Sequence, residues 1–140
     1  MPTSVREQVI AAIITATGGE YGVPAPESER DLPITIVEDG LEEASTDAYG
    51  YTNVLMPVAI GKAEAATSSE KDTMRQQANE LLAGIITTMF TDETFGGLAD
   101  GVEYNSGSIA TEVGKFCFAE AQFTVRYHTV RGDPYTIDEV

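Results

Sequence analysis

Phe116-Cys117-Phe118-Ala119-Glu120-Ala121-Gln122-Phe123-Thr124-Val125-Arg126-Tyr127-His128-Thr129-Val130, followed by Arg131-Gly132-Asp133-Pro134-Tyr135, is the stretch that decides the fold. From Ala119 onward the odd positions are Ala119, Ala121, Phe123, Val125, Tyr127 and Thr129, and the even ones Glu120, Gln122, Thr124, Arg126 and His128. A period of two marks a half-buried β-strand, with one face on a core and the other toward water or a partner. Gly132-Asp133-Pro134 stops it, because proline has no ladder donor and glycine relaxes the backbone. A strand of about 14 residues spans roughly 46 Å, more than twice the usual length. In a small domain, such a strand suggests a part of an assembly rather than a pocket.

Working outward, Ser4-x-x-Glu7 is a capping box, and Val5, Val9, Ala12, Ile13 and Ala16 recur behind it at helical spacing until Gly18-Gly19. Residues 20–33, rich in proline and polar groups, read as loop, and Ile34–Val37 as a short strand. Glu38 to Gly50 carries acids and no base, and is expected to be an exposed loop. Val54, Met56, Val58 and Ile60 alternate, giving a second strand through about Lys62, where Pro57 implies an edge position or a bulge. Thr67-x-x-Glu70 is a second capping box, ahead of a stripe of Met74, Ala78, Leu81, Leu82, Ile85 and Met89 on a helix reaching about Phe90. Short strands around Val102–Asn105 and Ile109–Val113, joined by a Ser-Gly turn, lead into the final strand. This order predicts a single α+β domain over residues 1–140: a mainly antiparallel sheet with a long C-terminal strand, packed by two helices.

The chain has 140 residues, enough to bury a core without staples. Eight Lys and Arg stand against 23 Asp and Glu, a formal net charge of −15. Gripping a nucleic-acid backbone needs clustered bases, so specific nucleic-acid binding and docking on anionic membranes are disfavoured. The run Val9–Ile14 could pass for a leader, but Arg6 is cancelled by Glu7 and the same residues make a good helix face. No run approaches a membrane span.

Catalytic chemistry is hard to assemble from these residues. His128 is the single histidine and Cys117 the single cysteine. On one continuous strand they lie roughly 36 Å apart and on opposite faces, which excludes a dyad within one chain. One Cys and one His disfavour zinc, the acids of 38–47 lack EF-hand spacing, and no phosphate loop is present. No cofactor and no enzymatic activity are therefore expected. Arg131-Gly132-Asp133 matches the integrin motif, yet serves equally well as a strand stop.

The chain resembles the tail-terminator (tail-completion) proteins of long-tailed bacteriophages. The resemblance rests on the capped helix Ser4–Thr17, the strand beginning Leu32-Pro33-Ile34-Thr35-Ile36 and the acidic loop. It continues in the strand Val54–Ile60, the long helix Thr67–Phe90 and the closing Tyr127-x-Thr129-x-x-Gly132-Asp133-Pro134. It implies a ring, usually a hexamer, at the head-proximal end of the tail in the virion. Such a ring stops addition of tail-tube protein and offers its other face to the head–tail connector protein, with the tape-measure protein a further candidate partner. No catalytic residues carry over. Exposed loops and strand faces nominate Glu38, Asp39, Glu42, Glu43 and Asp47 as an acidic channel-facing or partner-binding loop. They also nominate Tyr49, Tyr51, Arg126, His128, Arg131, Asp133 and Tyr135 as a subunit or partner interface. The alternatives are another tail or head–tail connector subunit such as the tube protein, or, more distantly, a small acidic hydrolase or ligand-binding domain.

Overall fold

The computed structural model describes residues 3–22, 32–112 and 116–138. In chain order the elements are α1 (Val5–Thr17), β1 (Glu20–Tyr21), β2 (Ile34–Asp39), β3 (Glu43–Thr46), β4 (Tyr51–Ala65), α2 (Lys71–Thr91), β5 (Gly101–Glu112) and β6 (Phe116–Val130). The strands form one sheet in the order β1-β2-β4-β6-β5, with β3 lying on β4 beyond the end of β2. Every pairing is antiparallel except β1 with β2. The α+β architecture expected from the sequence is present, both helices sharing one core with the same sheet face.

The period of two in β6 translates directly into burial. Cys117, Ala119, Ala121, Phe123, Val125, Tyr127 and Thr129 are buried, while the even positions from Glu120 to His128 stay partly or fully open. β6 is nevertheless an interior strand, flanked by β4 and β5, so its ladder groups are already taken and cannot pair with a neighbouring molecule. Among the described residues, β5 is the border strand on that side of the sheet. The two short strands expected there are one strand, since β6 is long enough to template all of it. The Ser-Gly turn is absorbed as a register shift between Tyr104 and Ser106. Gly107 sits where a Cβ would meet the Tyr104 hydroxyl at 2.2 Å, so a side chain there would displace that ring. Val113 lies outside the described residues.

Pro57 occupies neither a true edge nor a bulge. β4 is central, but β2 pairs with it as far as Val58 and β3 only from Leu55. Pro57 stands opposite the break between them, and its carbonyl accepts Gly40 N–H at 2.9 Å. Gly40 continues the register opposite Pro57, and its carbonyl, which receives no ladder amide from a proline, accepts the Arg6 guanidinium at 3.1 Å.

Helix α1 begins as expected. Ser4 Oγ accepts Glu7 N–H at 3.2 Å, and Gly18 closes the helix at φ 70°. Val5, Val9, Ile10 and Ile13 are buried, whereas Ala16, expected on that stripe, is exposed. Helix α2 starts later than its capping box, at Lys71, with no side-chain cap from Glu70. Gln77 overrides the box: its Oε1 accepts the Thr67 N–H (3.0 Å) and hydroxyl (3.3 Å), and its Nε2 donates to Ala65 O at 3.0 Å. Met74, Ala78, Leu81, Ile85 and Met89 form the buried stripe, with Leu82 partly buried beside it.

Phe123 is the largest fully buried side chain, with Phe90 and Tyr104 at ring distances of 6.4 and 5.7 Å. Phe123→Ala should cost about 3–5 kcal/mol through the cavity it leaves, read as a lowered urea midpoint at constant m-value. A loss below about 1 kcal/mol would contradict the register described here.

Candidate docking end of the sheet

The expected acidic loop is not a loop. Glu38 and Asp39 end β2, Glu43 opens β3, and three of the five acids are tied down. Asp39 is bonded by both the Arg6 guanidinium and the Tyr21 hydroxyl. Arg6 also reaches Gly40 O at 3.1 Å, and its Nη1 faces Glu42 Oε1 at 3.2 Å without hydrogen-bond alignment. Glu42 accepts the Tyr127 hydroxyl at 3.1 Å. Burial works to raise the Asp39 pKa, but the bonds from Tyr21 and Arg6 prevail and hold it below its ordinary value. Burial first, and then Glu42, push the Tyr127 hydroxyl up to about 12. This network pins the N-terminal turn of α1 to the break between β2 and β3. Arg6, Tyr21 and Tyr127 were not singled out as partners, because 33 residues separate Arg6 from Asp39 and 85 separate Tyr127 from Glu42.

Asp47 has a third task. Its Oδ1 accepts the N–H groups of Tyr49 (2.8 Å) and Tyr51 (3.1 Å), and its Oδ2 accepts Asn53 Nδ2 at 3.0 Å. With Gly50 at φ 89°, this builds the β3–β4 turn and holds Tyr49 at its tip, 86% exposed. Gly50 O accepts Arg131 N–H at 2.9 Å, which seats the turn beside the chain reversal that ends β6. There Asp133 Oδ1 accepts Tyr135 N–H at 3.0 Å, Val130 N–H donates to Thr136 O at 2.7 Å, and Pro134 O accepts Val5 N–H at 2.9 Å. Tyr135 is half exposed. Leu41, in the bend between β2 and β3, is 89% exposed.

Of the residues expected at an interface, the structure therefore gathers Tyr49, Tyr51, His128, Arg131, Asp133 and Tyr135 at one end of the sheet. Arg126 lies farther along the uncovered face, 3.6 Å from Glu103. His128 is partly internal: Nδ1–H donates to both Asp100 oxygens at 2.8 Å, Nε2 faces Asp138 at 3.5 Å, and Tyr51 meets the ring edge-on at 5.3 Å. The Asp100 bond is the main cause that raises the His128 pKa above its ordinary 6.5, partly opposed by burial. With carboxylates at both nitrogens the ring serves as an ionic clamp between the start of β5 and the C-terminal segment. Cys117 lies on the opposite face, its thiol 3.4 Å from Met74 O. Among the described residues, no group of three or more His, Cys, Asp and Glu is placed to hold a metal ion.

No family model matches the sequence, and no curated protein does. Among solved structures, the chain is similar to one described as "Virion of native gene transfer agent (GTA) particle", with 15% identity over 88% of this chain and 90% of that one, at a TM-score of 0.43.

The five acids should separate on mutation. Glu38→Gln and Glu43→Gln, at exposed positions, should change stability by less than about 0.5 kcal/mol. Asp39→Asn should cost about 1–3 kcal/mol by leaving Arg6 and Tyr21 poorly matched, with Glu42→Gln a smaller loss; urea denaturation of each single variant measures the difference. For His128 the folded pKa is raised, so its stabilising contribution is complete below pH 6.5 and is lost as the pH climbs through the higher folded value. His128→Asn should flatten that part of the pH–stability curve.

Proposed function

We propose that this chain is a structural virion subunit of tail-terminator type, closing into a ring that caps the tail tube, halts its growth and presents a docking face to the head connector. The observation that carries this reading is the sheet itself. Among the described residues, β5 borders the sheet, laddered to β6 alone and exposed over most of the stretch from Glu103 to Thr111. The opposite edge of the sheet is made of the short strands β1, β2 and β3. Two dissimilar edges on one subunit are what head-to-tail closure requires, and a long unpaired edge is a template for another chain. The aromatic tips Tyr49 and Tyr135 then belong to the axial contact with tube or connector, since tyrosine supplies contact area with few rotatable bonds. The family resemblance of the sequence supports the same reading.

Charge fits this role. Six copies of −15 would sum to about −90, which repels phosphate from a channel wall. Glu38 and Glu43, opposite Ala59 and Leu55 on the sheet face away from the helices, are the acids free to line such a channel. Asp39, Glu42 and Asp47 act instead as structural members.

Light scattering and negative-stain imaging of the protein, alone and with purified tail tubes, should reveal closed rings, six-membered being expected. Ser108→Lys with Ala110→Lys on the β5 edge should leave the unfolding midpoint nearly unchanged yet prevent closure. A strict monomer that also ignores tubes would sink the proposal, and open-ended polymers would mark the chain as a tube subunit instead.

A further inference from the structure

Helices α1 and α2 leave a groove of about 760 Å³ between their C-terminal halves. Ala12 and Ala16 line it from α1, Thr88 and Thr91 from α2, and Asp92 and Phe95 from the turn that follows α2. The Phe95 position is a built feature. Its backbone takes φ 48°, a left-handed conformation unusual for a bulky residue, and leads into Gly96 and Gly97 at φ 73° and 93°. Asp92 supports the turn by accepting Thr94 N–H at 3.2 Å and Gly96 N–H at 2.9 Å. The Thr91 hydroxyl is turned back onto Thr87 O at 2.8 Å, so it is already satisfied within the helix. The trough is thus mainly apolar and in the size range of ligand and peptide sites.

Its electrostatics are one-sided. Both helices end here, and neither has a basic residue in its last turn to offset the partial negative charge of its carbonyls. Asp92 adds a full charge and Glu93 follows it, exposed. No lysine or arginine among the described residues lines the groove. Arg6, Arg75 and Arg126 are paired with acids elsewhere, and Lys62 lines an adjoining crevice that shares Thr88 with the groove and reaches Thr17 at the end of α1, so the negative charge is concentrated on the Asp92 side.

We infer that the α1–α2 groove docks a cationic amphipathic helix of a partner protein. Its apolar stripe would lie on Ala12, Ala16, Thr88 and Phe95, and its lysines or arginines beside Asp92 and the two helix ends. This inference stands whether or not the chain caps a tail.

The test titrates the intact protein, at about 0.1 M salt, with a labelled Leu/Lys amphipathic helical peptide of roughly 18 residues and with a Leu/Glu peptide of the same pattern. The Leu/Lys peptide should bind and shift amide resonances of groove residues, and the Leu/Glu peptide should not bind. Ala16→Leu with Thr91→Leu fills the groove at exposed positions without altering net charge, and should weaken binding by about tenfold or more while circular dichroism and melting stay as in the parent. Equal affinity of parent and filled protein would reduce the effect to general surface charge and overturn the proposal. Binding of the Leu/Glu peptide, or of neither peptide, would overturn it too. So would a change in self-association on filling the groove, since that would make a second copy the occupant.

Discussion

The antiparallel ladder between β4 and β6 is the constraint on which the rest of the molecule depends. It runs unbroken from Tyr51 opposite Val130 to Ala65 opposite Phe116. Both strands have one apolar face, and the two faces coincide in this register: Val54 meets Tyr127, Met56 meets Val125, Val58 meets Phe123 and Ile60 meets Ala121. A slip of one residue would turn Arg126 and His128 inward and Phe123 outward, so the hydrophobic effect itself selects the alignment. Everything else attaches to this pair. β2 and β3 share the outer side of β4, β5 takes the outer side of β6, and both helices cover the face that carries Phe123 and Met56.

The break between β2 and β3 illustrates how a polar segment can be structural. Viewed locally, residues 38–47 are acids and small polar groups, the composition of a solvated loop. In the fold, Arg6 comes from helix α1, Tyr21 from β1 and Tyr127 from β6, and together they satisfy Asp39 and Glu42. Such partly enclosed charges persist because each is matched; removing one partner leaves the other without compensation. Pro57 belongs to the same arrangement, since it gives Gly40 O no ladder amide and leaves that carbonyl to Arg6.

Two kinds of surface remain after the core is accounted for. At one end of the sheet, Tyr49 and Tyr135 project from turns that are themselves well braced, so exposure there reflects rigid presentation rather than slack chain. On the helical side, the groove lined by Phe95 combines small side chains with the negative ends of two helices. These surfaces differ in chemistry and lie on different elements. The ionic clamp at His128 joins the first surface to the C-terminal segment, where protonation adjusts its strength.

Elements whose information is periodic could be read from the chain before it folds. The face of β6, the stripe of α2, the Ser4 cap and the Gly132-Asp133-Pro134 stop were all legible, because burial imposes a repeat of two or 3.6 that survives in one dimension. What the sequence could not contain was pairing between distant segments. Gln77 overrode a capping box through contacts with the end of β4, and β6 fused two expected strands into one by templating β5 along its full length. Of the candidate site, the aromatic positions were nominated from exposed loops and strand faces, but their gathering at one end was not legible. The ion pairs of the acidic segment depend on side chains up to 85 residues away, and no local composition encodes a partner that only folding brings near. Tertiary structure alone decided that β6 is interior and β5, among the described residues, the border strand, because sheet order is a choice among non-local ladders whose strands look alike in isolation.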